Sequence, residues 1–326
     1  MPSKGRKSLS EARIPICITG FPGFRIKSRI LVKKKRNQLK IFRDSSKYFG
    51  IVGQPLSHTL SPLLHSSWYE DLSLDCGYLV FPVETLEKKE LLTLSKFGVR
   101  GLSVTIPHKE IAFQLADKTD ETSQTVRASN TLVFENGSIS AHNTDGIGAV
   151  RAIIESFPES LKGKVLLIGS GGSARGISFT LLKEASVKDL TIAARNRITS
   201  EELTGLLSKV SSSKIQSKDL NEVQKDFSEY SLIIHTTPLG MKGKDPGPAI
   251  PESCFREGQV VFDIVYNPLE TTLVLGAKKM GAKIVPGTEM LLYQAVEQFR
   301  LFTGVSLSPE LIQKGRSRLL KALGYT

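Results

Sequence analysis

The stretch "GKVLLIGSGGSARG", Gly163–Gly176, decides the fold. An apolar run, Val165 to Ile168, empties into Gly169, Ser170, Gly171, Gly172, Ser173 and Ala174, and the apolar helix "ISFTLLKEA" (Ile177–Ala185) follows. Glycines at such a turn let the backbone approach a pyrophosphate, and the helix amino terminus adds free N–H groups and positive dipole. A tight strand-to-helix turn without a ligand is the bland alternative. The placement after a strand and before a helix favours the nucleotide reading.

Working outward, "DLTIAARNR" (Asp189–Arg197) predicts the next strand and its tip chooses the cofactor. A fold that binds NAD carries a carboxylate there for the ribose hydroxyls. This chain has Arg195, Asn196 and Arg197 instead, which suits the 2′-phosphate of NADP, because guanidinium and phosphate form paired charge-assisted bonds. Two solvated loop arginines would be the duller account. Further strands are predicted in "SLIIHTTPLGM" (Ser231–Met241), "GQVVFDIVYNP" (Gly258–Pro268, closing on Tyr266) and "GAKIVPG" (Gly281–Gly287). Residues 146–287 therefore read as a Rossmann-type NADP-binding domain.

Upstream, "YFGIVG", "GYLVFPV" and "VRGLSVTIP" read as strands, alternating with helices in "LSPLLHSSWYEDLSL" and "LLTLSKFG", with Ser61 as the cap before Pro62. Downstream, Glu289–Phe302 carries an apolar stripe of Leu291, Leu292, Ala295, Val296, Phe299 and Phe302, stopped at Gly304; a last helix runs from Pro309 to about Ala322. The expectation is an α/β protein of two domains. Residues 48–145 plus 288–326 form the first, with a mostly parallel sheet; 146–287 form the second.

Composition sets the outer limits. Of the 44 Lys and Arg, 14 fall in residues 1–47 beside two acids, leaving 30 basic and 30 acidic residues in a neutral body. A footprint confined to an arm is not the patterned face of a folded nucleic-acid reader. The arm is expected to be disordered and dispensable; a targeting segment and an upstream start artefact stay open as its origin. Three widely spaced cysteines point to neither a disulfide framework nor a zinc site, so a reducing, cytoplasmic setting fits. No apolar run reaches the roughly 18 to 20 residues of a membrane span. The five histidines are scattered among turns, and no metal is expected.

Eight segments, in order and spacing, make the chain resemble the shikimate dehydrogenase family: "GIVGQPLSHTLSPLLH", "GLSVTIPHKE", "ASNTLV", "HNTDGIG", "IGSGGSARG", "HTTPLGM", "DIVYNP" and "GTEMLLYQAVEQF". The resemblance runs from about Tyr48 to the end. It implies reversible reduction of 3-dehydroshikimate to shikimate with NADPH, in aromatic amino acid biosynthesis. It also gives Lys109, otherwise a solvated lysine opening a helix, a partner in Asp145. Hydride delivery to a ring ketone builds alkoxide charge that a proton donor or cation must meet. By the same resemblance Thr59 and Ser61 hold the substrate carboxylate, Thr105, Asn130 and Gln294 hold ring hydroxyls, and Tyr266 lines the cleft. The cofactor falls to Gly169, Gly171, Gly172, Ser173, Ala174, Arg195, Asn196, Arg197 and Gly287.

This chain departs from the commonest family pattern at Thr59, Ser103 and His235, where serine and two asparagines are frequent. Asn196 and Thr199 stand where a hydroxyl and a second arginine are often seen, which leaves that work to Arg197. The rivals are a quinate/shikimate dehydrogenase able to use NAD and a non-catalytic dinucleotide-binding protein. Partners are expected to be small molecules only, with no nucleic acid and no membrane, in a monomer or homodimer.

Overall fold

The computed structural model describes residues 43–325, so the expected basic arm lies almost wholly outside the described residues. Its predicted boundary at residue 47 needs correction, because Lys47 already pairs with Cys76 in the first sheet. Just before it, the buried Ser46 donates to Asp75 at 2.8 Å.

The first sheet is built from β1 (Lys47–Gly53), α1 (Ser61–Asp71), β2 (Cys76–Pro82), α2 (Lys88–Lys96), β3 (Val99–Val104), α3 (Lys109–Leu115), β4 (Lys118–Thr119), α4 (Glu121–Val126), β5 (Thr131–Glu135) and β6 (Ser138–His142), with strand order β2-β1-β3-β5-β6-β4. β1 runs parallel to β2 and β3, whereas β5 is antiparallel to both β3 and β6. The β5–β6 hairpin turns on Asn136 and Gly137, both at positive φ (50° and 76°) as a tight two-residue turn requires. Ser61 is not the cap of α1: it is the first helical residue, and Leu60 before it caps without a side-chain bond.

α5 (Asp145–Ser156) leads out of this sheet into the second, made of β7 (Lys164–Ile168), α6 (Gly172–Lys183), β8 (Asp189–Ala193), α7 (Arg197–Leu207), β9 (Lys214–Lys218), α8 (Leu220–Val223), β10 (Tyr230–His235), β11 (Val260–Asp263), α9 (Thr272–Lys279) and β12 (Lys283–Val285). All its pairings are parallel, in the order β12-β11-β10-β7-β8-β9. The order reverses between β7 and β10, and the crevice beyond their carboxyl ends is where such a sheet takes a ligand. β11 stops at Asp263, short of the predicted end at Tyr266, because the Asp263 carboxylate turns the chain by accepting from Val265 N–H at 3.1 Å.

The chain then returns. α10 (Gly287–Thr303) and α11 (Pro309–Ala322) carry it back to the first sheet. The six apolar residues of the α10 stripe are all buried, Phe302 stacks on Phe49 of β1 with ring centroids 4.9 Å apart, and Gly304 ends the helix in the left-handed region. Gly101 in β3 exists for this contact, since a Cβ there would lie 2.6 Å from the Phe302 ring. α11 seats on α1 through Trp68, whose indole N–H donates to Leu311 C=O at 3.1 Å. Among the described residues no helix is long and apolar enough to cross a membrane.

Candidate active site

Topology gathers the predicted substrate residues on one edge of the first sheet. Val52 and Val104 are register partners at the ends of the parallel strands β1 and β3, so the loops carrying Thr59 and Lys109 leave side by side. β5 is antiparallel, which brings Asn130, just before it, to the same edge; β6 ends there too and delivers Asp145 at the start of α5.

At this edge Lys109 Nζ donates to Asp145 Oδ2 and, at 2.9 Å, to Ser173 Oγ. Asn130 Nδ2 donates to the other carboxylate oxygen, Oδ1, at 2.7 Å, and to Thr144 Oγ1 at 3.0 Å. Asn130 is itself held, its Oδ1 accepting from Thr144 N–H at 2.8 Å and from Thr131 Oγ1 at 3.0 Å. The Asp145 side chain is 1% exposed and that of Lys109 14%. A carboxylate so buried needs this pairing, and the positive end of α5 adds to it.

The remaining substrate candidates lie around the cluster. Gln294 on α10 reaches Asn130 Nδ2 through Oε1 at 3.4 Å. Thr59 Oγ1 donates to Ser61 Oγ at 3.4 Å, so these two hydroxyls stand together but outside the lysine cluster. Thr105 follows β3, its methyl filling the space that makes Gly53 a glycine. Tyr266 stands on the second sheet's side, half-buried, and burial pushes its phenol up.

Sequence reasoning missed a buried polar chain beneath these groups. Tyr78 donates to Ser103 Oγ at 2.7 Å, Ser103 donates to Gln298 Oε1 at 2.8 Å, and Gln298 Nε2 donates to Asn130 C=O and Thr131 Oγ1, both at 3.1 Å. Burial drives the Tyr78 phenol well above its usual range. The departure at Ser103 was the available signal: a short hydroxyl there leaves room for the Tyr78 phenol. His235, which stands in place of the usual asparagine, is held at both ring nitrogens. His235 Nδ1 faces Asp263 Oδ1 at 3.0 Å and its Nε2 meets Thr237 Oγ1 at 2.5 Å, while Thr271 donates to Asp263 Oδ2 at 2.6 Å. Because a carboxylate only accepts, Nδ1 carries the proton of the bond to Asp263.

The cofactor candidates line the opposing edge. Gly169 has φ +119°, and a Cβ on it would lie 2.4 Å from Thr236 Oγ1. A Cβ on Gly171 would meet open space. α6 has no side-chain cap, and its first backbone bond is Arg175 N–H to Gly171 C=O at 3.0 Å, which leaves the N–H groups of Gly172, Ser173 and Ala174 for a ligand. This uncapped, glycine-walled helix end fits a pyrophosphate. Gly287 opens α10 within 2.4 Å, measured from a built Cβ, of the Val265 carbonyl oxygen, a closeness only glycine permits.

The ribose loop is more divided than expected. Arg195 is exposed and enters no ion pair among the described residues, whereas Arg197 Nε is paired with Glu201 at 2.7 Å. Asn196 spends its side-chain oxygen capping α7 at Thr199 N–H, and Thr199 turns inward to Ser170 at 2.7 Å. Of the two arginines, Arg195 is the one whose guanidinium enters no ion pair among the described residues.

The shikimate dehydrogenase substrate binding domain matches residues 51–132, and the shikimate 5′-dehydrogenase C-terminal domain matches residues 287–314. The chain is 53% identical over 295 residues to the shikimate dehydrogenase (NADP(+)) of Leptospira interrogans, covering 90% of this chain and 99% of that one. Among solved structures, a shikimate dehydrogenase in complex with NADP+ superposes with TM-score 0.77 at 31% identity, covering 87% and 98% of the two chains. A quinate dehydrogenase from Corynebacterium glutamicum in complex with NAD gives TM-score 0.77 at 26% identity, covering 85% and 99%. Sequence and fold thus agree, and the chain belongs to the shikimate dehydrogenase family.

Proposed function

We propose that this enzyme reversibly reduces 3-dehydroshikimate to shikimate, that NADPH supplies the hydride when bound, and that Lys109 with Asp145 handles the proton. The observation that carries the reading is the part-buried Lys109–Asp145 pair where the two sheet edges meet. An ammonium has three N–H groups. One is given to Asp145 and one to Ser173, so the third is available to a ring oxygen. There it meets the alkoxide charge as it develops and passes a proton from Nζ. Asp145 keeps the ammonium in place, and Asn130 fixes Asp145 from the other side.

In this reading Thr59 and Ser61 bind the substrate carboxylate as neutral donors, and Thr105, Asn130 and Gln294 sort the ring hydroxyls beside Tyr266. The helix end at Gly171–Ala174 seats the pyrophosphate, Arg195 the 2′-phosphate, and Gly287 gives the nicotinamide close access. Residues 47–145 with 288–326 act as the substrate domain and 146–287 as the cofactor domain, in a cytoplasmic monomer or homodimer.

The test follows nicotinamide absorbance with shikimate, 3-dehydroshikimate and quinate, each with the NADP and NAD couples. Turnover of shikimate and 3-dehydroshikimate with the NADP couple, and little with quinate and NAD, is the expected result. Comparable rates with quinate and NAD would move the enzyme to the quinate/shikimate class, and no turnover at all to a binding protein.

A further inference from the structure

We infer that Ser173 is a positioning residue that couples the dinucleotide seat to Lys109, an inference resting on the function proposed above. Ser173 is the second residue of α6, in the first turn, where the backbone N–H groups have no partner within the helix. Its hydroxyl oxygen accepts from Lys109 Nζ at 2.9 Å, across the gap between the two sheets. The same lysine leans on the turn along its stem, since a Cβ added to Gly172 would lie 3.2 Å from Lys109 Cδ.

A serine hydroxyl has one proton to give as well as lone pairs to offer. Here the lone pair is given to the ammonium, and an ammonium never accepts, so the proton is left for an acceptor. The acceptor chemistry that suits the uncapped end of α6 is an anionic phosphate oxygen. A hydroxyl between phosphate and ammonium is polarised in one direction, each bond strengthening the other. Dinucleotide binding thereby fixes a second Lys109 donor beside the one held by Asp145, and the third is aimed at substrate before substrate arrives. An alanine at residue 173 would leave the ammonium held by Asp145 alone.

Linkage makes this measurable without turnover. NADPH and shikimate form a pair that cannot react, so calorimetry reads the affinity for NADPH with and without saturating shikimate. The wild-type enzyme should bind NADPH about tenfold more tightly when shikimate is present, the scale of one charge-assisted hydrogen bond. Ser173→Ala should bring that ratio close to one, and Ser173→Thr, which keeps the hydroxyl, should restore it. Thermal melting of each variant checks that the fold is kept. A wild-type ratio near one, or an unchanged ratio in Ser173→Ala, overturns the coupling. Lys109→Ala separates the two levels: if it turns over normally the proposed chemistry fails, whereas an inactive Lys109→Ala beside an unchanged Ser173→Ala ratio removes only the role of Ser173.

Discussion

Gly146 and Gly176 meet where α5 crosses α6: a Cβ on Gly146 would lie 2.4 Å from the Gly176 carbonyl oxygen and 1.9 Å from Thr180 Oγ1. The neighbour of Gly146 is Asp145, so the crossing sets the carboxylate. Gly146→Ala should destabilise the protein by about 1–3 kcal/mol, the usual cost of overfilling a packed contact. It should also lower turnover in the fraction that stays folded. Denaturant unfolding together with a rate measurement checks both, and a variant as stable and active as wild type would show that the crossing has slack.

Lys109→Ala should cut turnover by about a hundredfold or more, and Asp145→Asn should fall in the same class. The double variant should be little worse than either single one, since a pair acting as a unit loses most of its value with either member. Steady-state kinetics on all three variants is the check. Losses that multiply would mean the two residues act independently.

Arg195 and Arg197 should behave differently although they are two residues apart. Arg195→Ala should raise the KM for NADP by about tenfold to a hundredfold and leave that for NAD nearly unchanged, as loss of a charge-assisted bond of about 1.5–3 kcal/mol requires. Arg197, already paired with Glu201, should have a much smaller effect. Equal effects of the two substitutions on the NADP constant would refute the division.

His65 is fully buried, stacked on Tyr78 at 4.4 Å, with neither ring nitrogen hydrogen-bonded among the described residues. Burial lowers its pKa from 6.5 to about 3, against a smaller raising influence of Gln298. The unfolded chain therefore takes up a proton that the folded chain refuses. This stability is fully present above pH 6.5 and is lost as pH falls towards about 3, at about 1.4 kcal/mol per pH unit. Comparing the pH dependence of unfolding in wild type and His65→Leu isolates the effect. Parallel curves between pH 7 and 4 would show that His65 is not held neutral.

The second sheet was legible because glycine spacing, buried strands and the Arg195 tip each speak within a few residues. The returning α10 and α11 were legible for the same reason, one continuous apolar stripe ending at Gly304. The β5–β6 hairpin was not read, although Asn136-Gly137 is the strongest short-range hairpin signal a sequence carries. Ser61 misled because a serine before proline looks like a cap, while its hydroxyl stands with Thr59 instead. Contacts between distant segments were out of reach: Tyr78 with Ser103 and Gln298, and Lys109 with Ser173, join residues 25 to 195 positions apart, and no local pattern encodes them.

The chain leaves the first sheet through α5 and comes back through α10, and these two helices touch, a Cβ on Gly148 lying 2.7 Å from Gln294 N. Two adjacent connections act as the pin of a hinge. Asp145 begins one of them and Gln294 sits on the other, so both ride close to the axis, while Arg195 stands out at the tip of β8. A rotation about that pin would move Arg195 further than the Asp145 carboxylate, because Arg195 lies further from the axis.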